Sequence, residues 1–277
     1  MHNIILEDAK VRMYNTFSER RIIKMKELTV PEGDCFSTEY TVNYSEISSK
    51  RTLQPSSLIN YFQNLAVLHS DSLGYTLGWF HEHNLGWVLL SWHVELGEMP
   101  KEGTKLTAET WTSPHKRSQA NREFALKDEQ GTVIARAASR WVLMNTSRRR
   151  PAKLDAGFFN KYSFENGRFC ADKDHIIDFP EDAELISSYS IPVMRRDTDT
   201  NKHANNAVYI DWALDGVPDE IYDTCCLTEL TVHYKKECRR GDQVRSTLYK
   251  NGNDILCVLV DDNDPVREFG RLLMRWE

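Results

Sequence analysis

A chain of 277 residues is long enough for one large domain or two small ones. Its formal net charge of −6 argues against a general nucleic-acid binder, because phosphate backbones are held by concentrated positive charge. No apolar run is long enough to span a membrane.

The six cysteines, Cys35, Cys170, Cys225, Cys226, Cys238 and Cys257, form no CxxC pair and no metal-ligand spacing with histidine. They read as reduced thiols of a cytoplasmic protein, with no metal and no other cofactor expected.

Residues 1–30 read as an N-terminal extension. Up to Lys24 it mixes Glu7, Asp8 and Glu19 with Arg20 and Arg21, which suits neither a secretory signal nor a transit peptide. Met25 is a plausible second start. Cys35 to Ile47 reads as a strand. Gln54 to Gly74 reads as a helix, with Pro55 in its first turn and Leu58, Ile59, Phe62, Leu65 and Ala66 on one stripe. Strand-like runs follow at Leu85 to Leu96, Lys105 to Pro114, Ser118 to Lys127 and Thr132 to Asn145. Residues 151–185 lose this periodicity and read as a linker.

The pattern then recurs. Ser187 to Arg196 is strand-like, and Ala204 to Asp215 reads as a helix with apolar residues on more than one face. Four more runs follow: Cys226 to Cys238, Gln243 to Lys250, Ile255 to Asp261 and Val266 to Trp276. Asn251-Gly252 between two of them is a strong hairpin signal. Strands joined by short turns pair antiparallel, since a parallel pair needs a long crossover. The fold class is therefore α+β: a tandem double hotdog, two antiparallel sheets each wrapped around a long helix. The first copy spans residues 31–150 and the second 186–277. This pairing within one chain leaves a further homodimer open.

Only the second copy carries Asp199, Asn201 and His203 at alternate positions. In an extended segment these would point one way, beside the first turn of the Ala204 helix. The matching stretch of the first copy, Ser48 to Gln54, has no such trio. The first copy, rich in aromatics such as Trp79, Trp87, Trp92, Trp111, Phe62 and Phe80, is the better candidate for an apolar pocket.

At these residues the chain resembles the acyl-acyl-carrier-protein (acyl-ACP) thioesterases of plants and bacteria. Plant members carry a segment like Asp-Leu-Asp-x-Asn-Gln-His-Val-Asn-Asn, then Tyr-Ile and a Trp. Here Asp197 to Asn206 fills it, with Tyr209, Ile210 and Trp212 after it. A second segment, Tyr-Arg-Arg-Glu-Cys, is similar to Tyr234-Lys235-Lys236-Glu237-Cys238. A third, Trp-x-x-Met-Asn before two arginines, is similar to Trp141 to Asn145 and Arg148 to Arg150. Thr198, Lys202 and Ala204 depart from the plant pattern without removing a catalytic group.

The resemblance implies hydrolysis of the thioester between a fatty acyl chain and acyl carrier protein, in fatty acid biosynthesis. It implies catalytic roles for Asp199, Asn201, His203 and Glu237, with Cys238 a disputed member. Two routes stay open. In one, Asp199 or Glu237 activates water, Asn201 and His203 orient it, and a backbone N–H near Ala204 and Asn205 holds the oxyanion. In the other, Cys238 attacks as thiolate with His203 as base. Strand alternation places Glu237 and Cys238 on opposite faces, and Cys238 among apolar residues, which favours water. Lys116, Arg117, Arg122, Arg136, Arg140, Arg148, Arg149, Arg150 and Lys153 form either a solvated face or a dock for an acidic carrier. An acyl-CoA thioesterase, a non-catalytic acyl-binding module and a hotdog dehydratase are the competing functions.

Overall fold

A computed structural model describes residues 35–113, 119–153, 158, 161–162, 177 and 179–277. The N-terminal extension, Lys116, Arg117, Cys170 and most of the linker lie outside the described residues.

The first half comprises β1 (Phe36–Thr41), α1 (Pro55–Ser72), α2 (Leu77–Glu82), β2 (Leu85–Leu96), β3 (Lys105–Ser113), β4 (Gln119–Lys127), β5 (Val133–Asn145) and the short β6 (Arg150–Pro151). The second comprises β7 (Glu184–Pro192), α3 (Val208–Leu214), α4 (Asp219–Thr224), β8 (Leu227–Tyr234), β9 (Gln243–Asn251), β10 (Asp254–Asp261) and β11 (Asp264–Trp276). The strand order is β1-β3-β4-β5-β2-β8-β11-β10-β9-β7, with β6 on β5. Read outward from the centre, the halves repeat each other strand for strand.

The two expected sheets are one continuous sheet. β2 and β8 pair antiparallel from Ser91↔His233 to Glu95↔Glu229, so each half covers an edge of the other. At this seam the buried His93 contacts Thr231, Nδ1 to Oγ1, at 3.0 Å. Because β2 and β8 run oppositely, equivalent loops of the two halves emerge at opposite ends of the sheet.

The helices supply the inner layer. Leu58, Ile59, Tyr61 and Phe62 of α1 are buried in one core with Trp92, Phe124 and Leu126. Tyr209, Ile210, Trp212 and Ala213 of α3 repeat that spacing and join the same core beside Val232, Leu248 and Phe269. The large aliphatic and phenyl side chains among them, Leu58, Ile59, Phe62 and Ile210, contribute about 1.5–3 kcal/mol each on burial.

The second helix is shorter than expected at both ends. It begins at Val208, not Ala204, because Ala204 is held in a bridge to Thr198. It ends at Leu214, and Gly216 just beyond packs so closely that a Cβ there would meet Leu248 Cδ1 at 2.7 Å and Tyr189 Cε1 at 2.8 Å. α1 has Leu65 at the matching place and continues.

Candidate active site

The stretch carrying the sequence trio is not an extended strand. Arg195–Asp197 form a 3-10 turn, Thr198 bridges Ala204, and the chain between them folds into a tight loop. Lys202 takes a left-handed φ of 64°, which strains a residue with a Cβ. Asp199 holds the loop shut. Its N–H donates to His203 O at 2.8 Å, and its Oδ1 accepts from Asn201 N at 2.8 Å and His203 N at 3.1 Å. Asn201 Nδ2 donates to Asp199 Oδ2 at 3.3 Å. Asp199 is thus the loop's organiser, and its lone pairs are largely engaged. An amide nitrogen has two hydrogens, so Asn201 Nδ2 keeps a second one beyond this bond.

The opposing wall comes from the segment after β8, which ends at Tyr234 rather than at Cys238. The pairing His203↔Arg239 draws this segment against the loop. Glu237 is exposed and sets Oε2 at 3.2 Å from His203 Nε2. Arg239 donates to the same oxygen at 3.0 Å. Among the described residues Oε1 has no partner, so one carboxylate oxygen is anchored and the other faces solvent.

Cys238 points the other way and is fully buried beside the core. Burial, reinforced by the Asp242 charge, pushes its thiol up to about 12. Its carbonyl accepts the Ala204 N–H at 2.7 Å. The backbone donor that the sequence suggests at Ala204 is therefore spent inside the loop. The Asn205 N–H likewise donates to Asp197 O at 2.8 Å, and Asn205 Oδ1 accepts from Ala207 N at 3.0 Å.

Asp199, Asn201, His203 and Glu237 come together; among the described residues the basic cluster does not. Arg122 is buried and donates to His69 Nδ1 at 2.9 Å, and Arg136 pairs with Glu95 at 2.8 Å. Burial, with Arg122 beside it, pushes the His69 imidazole down to about 3. Arg148, Arg149 and Arg150 remain exposed. β2 pairs Leu85 with Asn145 and Ser91 with His233, so these arginines lie at the same sheet end as the Glu237 segment. Exposed Arg196, Lys202, Lys236, Arg239 and Arg240 add positive charge there.

Sequence reading missed Arg239 and Gln63. The signal for Gln63 was available: Ser56, Asn60 and Gln63 make a polar stripe at helical spacing beside the apolar stripe of α1.

A duplicated hotdog with a carboxylate, amide and imidazole in one loop defines the class of this protein. The acyl-ACP thioesterase N-terminal domain matches residues 33–162 and the C-terminal domain residues 181–265. The chain belongs to the acyl-ACP thioesterase family. It is 30% identical over 235 residues to oleoyl-acyl carrier protein thioesterase 1, chloroplastic, of Arabidopsis thaliana, covering 78% of this chain and 64% of that protein. The chain thus spans just under two thirds of that relative's length. By structure it is similar to an acyl-ACP thioesterase of Bacteroides thetaiotaomicron, with a TM-score of 0.76 and 23% identity over 88% of this chain and 98% of that one. The 12:0-ACP thioesterase of Umbellularia californica gives 0.75 and 23%, over 89% and 98%. At that identity the structural likeness speaks for the fold.

Proposed function

We propose that this chain is an acyl-ACP thioesterase, releasing a free fatty acid from the carrier by water attack at the Asp199 to Glu237 site. The observation that carries this reading is the contact between Glu237 and His203 across a loop that Asp199 holds closed. Glu237 Oε1 takes a proton from water as its oxygen bonds to the thioester carbon. His203 and Arg239 hold Oε2, and the free Asn201 N–H stabilises the oxyanion. The C–S bond then breaks, and Glu237 returns the proton to the departing pantetheine sulfur. On this reading the acyl chain runs toward the first half, which carries an aromatic cluster of Trp79, Phe80, Trp87 and Phe158.

The thiolate route is disfavoured by the burial of Cys238, which pushes its thiol up to about 12. Docking of an acidic carrier is supported by the exposed cations at the site's sheet end, Arg148, Arg149 and Arg150 among them. Among the described residues Cys225, Cys226, Cys238 and Cys257 are free thiols, which suits a reducing compartment such as the cytoplasm. No described helix is long and apolar enough to cross a membrane.

The test is turnover of acyl-ACP across chain lengths beside the matching acyl-CoA series. Faster hydrolysis from the carrier, with a drop of about 10²-fold or more in Asn201→Ala and His203→Ala, is the expected result. Equal or greater rates on acyl-CoA would move the assignment to the CoA thioesterases, and no turnover on either would leave an acyl-binding module.

A further inference from the structure

We infer that Gln63, on the helix of the non-catalytic half, is a positioning residue that braces the catalytic loop. The inference rests on the catalytic reading above. Asn206 Nδ2 donates to Gln63 Oε1 at 2.9 Å. Gln63 Nε2 lies 3.4 Å from Asn205 Oδ1 and 3.4 Å from Asn60 Oδ1. The directions agree at every step: one amide gives, the next accepts, and Asn205 Oδ1 also takes the Ala207 N–H at 3.0 Å. On the far side, Tyr234 donates its hydroxyl to Asn206 O at 2.8 Å. The Asn205-Asn206 turn is therefore gripped from both sides just after His203, Gln63 reaching it from the opposite half of the fold.

The repeat supplies the control. The buried positions Leu58, Ile59, Tyr61 and Phe62 of α1 match Tyr209, Ile210, Trp212 and Ala213 of α3, so Gln63 corresponds to Leu214. Gln54 and Pro55 correspond to Asn205 and Asn206. There the grip is absent: Leu214, Gln54 and Pro55 line an open cavity of about 340 Å³, with Ser48, Asp211 and Tyr222. Polar bracing stands on the side that carries the trio, and an apolar leucine on the side that does not. A half-buried amide set against two others fixes geometry more than it adds stability, since each such bond contributes only modestly to stability.

The brace also joins the two tasks of the enzyme. α1 packs its apolar face on the first-half core and holds the catalytic turn with its polar stripe.

The experiment uses the full chain and acyl-ACP. Gln63→Leu installs the residue of the matching position and keeps helix propensity, so Tm should not fall. Its kcat should drop about 3- to 10-fold, the size of a lost neutral hydrogen bond expressed in the transition state, with KM within about twofold. Asn206→Ala should do the same, and the double variant should be no slower than the worse single, because both remove one interaction. Unchanged kcat in Gln63→Leu, multiplied losses in the double variant, or a change confined to KM would overturn the brace. His203→Ala is measured alongside. Loss there with wild-type rates in Gln63→Leu overturns the brace alone; loss in Gln63→Leu with wild-type rates in His203→Ala overturns the catalytic reading of the loop.

Discussion

The loops Ser48 to Gln54 and Asp199 to Asn205 share one backbone and differ in nearly every side chain. Ser48 N bonds Thr52 O at 2.9 Å as Asp199 N bonds His203 O at 2.8 Å. Arg51 has φ 61° where Lys202 has 64°. Leu53 N donates to Pro100 O as Ala204 N donates to Cys238 O. The Ile47↔Leu53 bridge answers Thr198↔Ala204. On that shared frame Ser48, Lys50, Thr52 and Met99 stand where Asp199, Asn201, His203 and Glu237 stand. Even the inner acceptor is conserved in kind, since Ser48 Oγ takes the Lys50 N–H at 3.2 Å. Lys50 itself is turned to structure: Nζ donates to Cys225 O at 2.9 Å and lies 4.6 Å above the Tyr222 ring. The backbone loop is thus a scaffold device of the fold, and the proposed chemistry rests on three side chains placed on it and on Glu237 facing it.

The most severe way to break this comparison is to write the first loop onto the second. Glu237→Met and Asp199→Ser each install the first-half residue, and each should cut acyl-ACP turnover by about 10²-fold or more. Circular dichroism and Tm should stay close to wild type, because a serine already closes the same loop at position 48. A large fall in Tm for Asp199→Ser would show that the carboxylate is needed for folding rather than for catalysis.

Charge reversal of Arg148, Arg149 and Arg150 addresses the two ends of the sheet. KM for acyl-ACP should rise several-fold at low salt and converge with wild type as salt screens the surface beyond about 8 Å. Acyl-CoA turnover should change little; equal losses on both substrates would count against carrier docking.

The helices offer a pH comparison. Asp211 on α3 occupies the position of Asn60 on α1. Its carboxyl is pushed up to about 6, chiefly by burial, against a hydrogen bond from Ser56, with the charges of Asp215 and Asp197 adding to the rise. A carboxyl raised on folding binds its proton more tightly in the native state, so stability falls as pH rises from about 4 to about 6. Asp211→Asn should remove that slope and stabilise the protein at pH 7 by on the order of 1 kcal/mol. Denaturant midpoints at pH 4 and pH 7 measure it, and an unchanged difference between the two would refute the buried-carboxyl account.

The smallest effect is expected at Cys238, whose counterpart is Pro100. Cys238→Ala should keep turnover within about threefold and lose about 1 kcal/mol of stability from a small buried cavity. A folded but inactive variant, with an acyl group found on Cys238 of the wild type by mass spectrometry, would reinstate the cysteine route.

Much of this frame could be read from the residues. Alternation from Val133 to Leu143 and the run from Leu85 to Leu96 set the strands, because half-buried strands must alternate. Pro55 and the Leu58, Phe62 and Leu65 stripe set α1. The trio was visible as residue types, but the reason for its convergence was not. Alternation suggested an extended segment, whereas a left-handed Lys202 and long-range bonds to Cys238 and Arg239 make a loop. Those same bonds delay α3, and no local signal at Ala204 announces them. The short helices α2 and α4 were also hidden, since six residues leave too little periodicity to see. The union of the two sheets was out of reach for the same reason: the β2–β8 seam is a contact between distant strands that alternate like any other.

That seam has an evolutionary consequence. In a symmetric dimer of two identical halves, any substitution would appear at both loops at once. A lysine in place of Asn201 would then arise in every copy, and with it the loss of activity. Joining the halves in one chain lets each drift alone. One loop can then carry Lys50 over Tyr222 and one helix Gln63, while the other loop carries Asp199, Asn201 and His203.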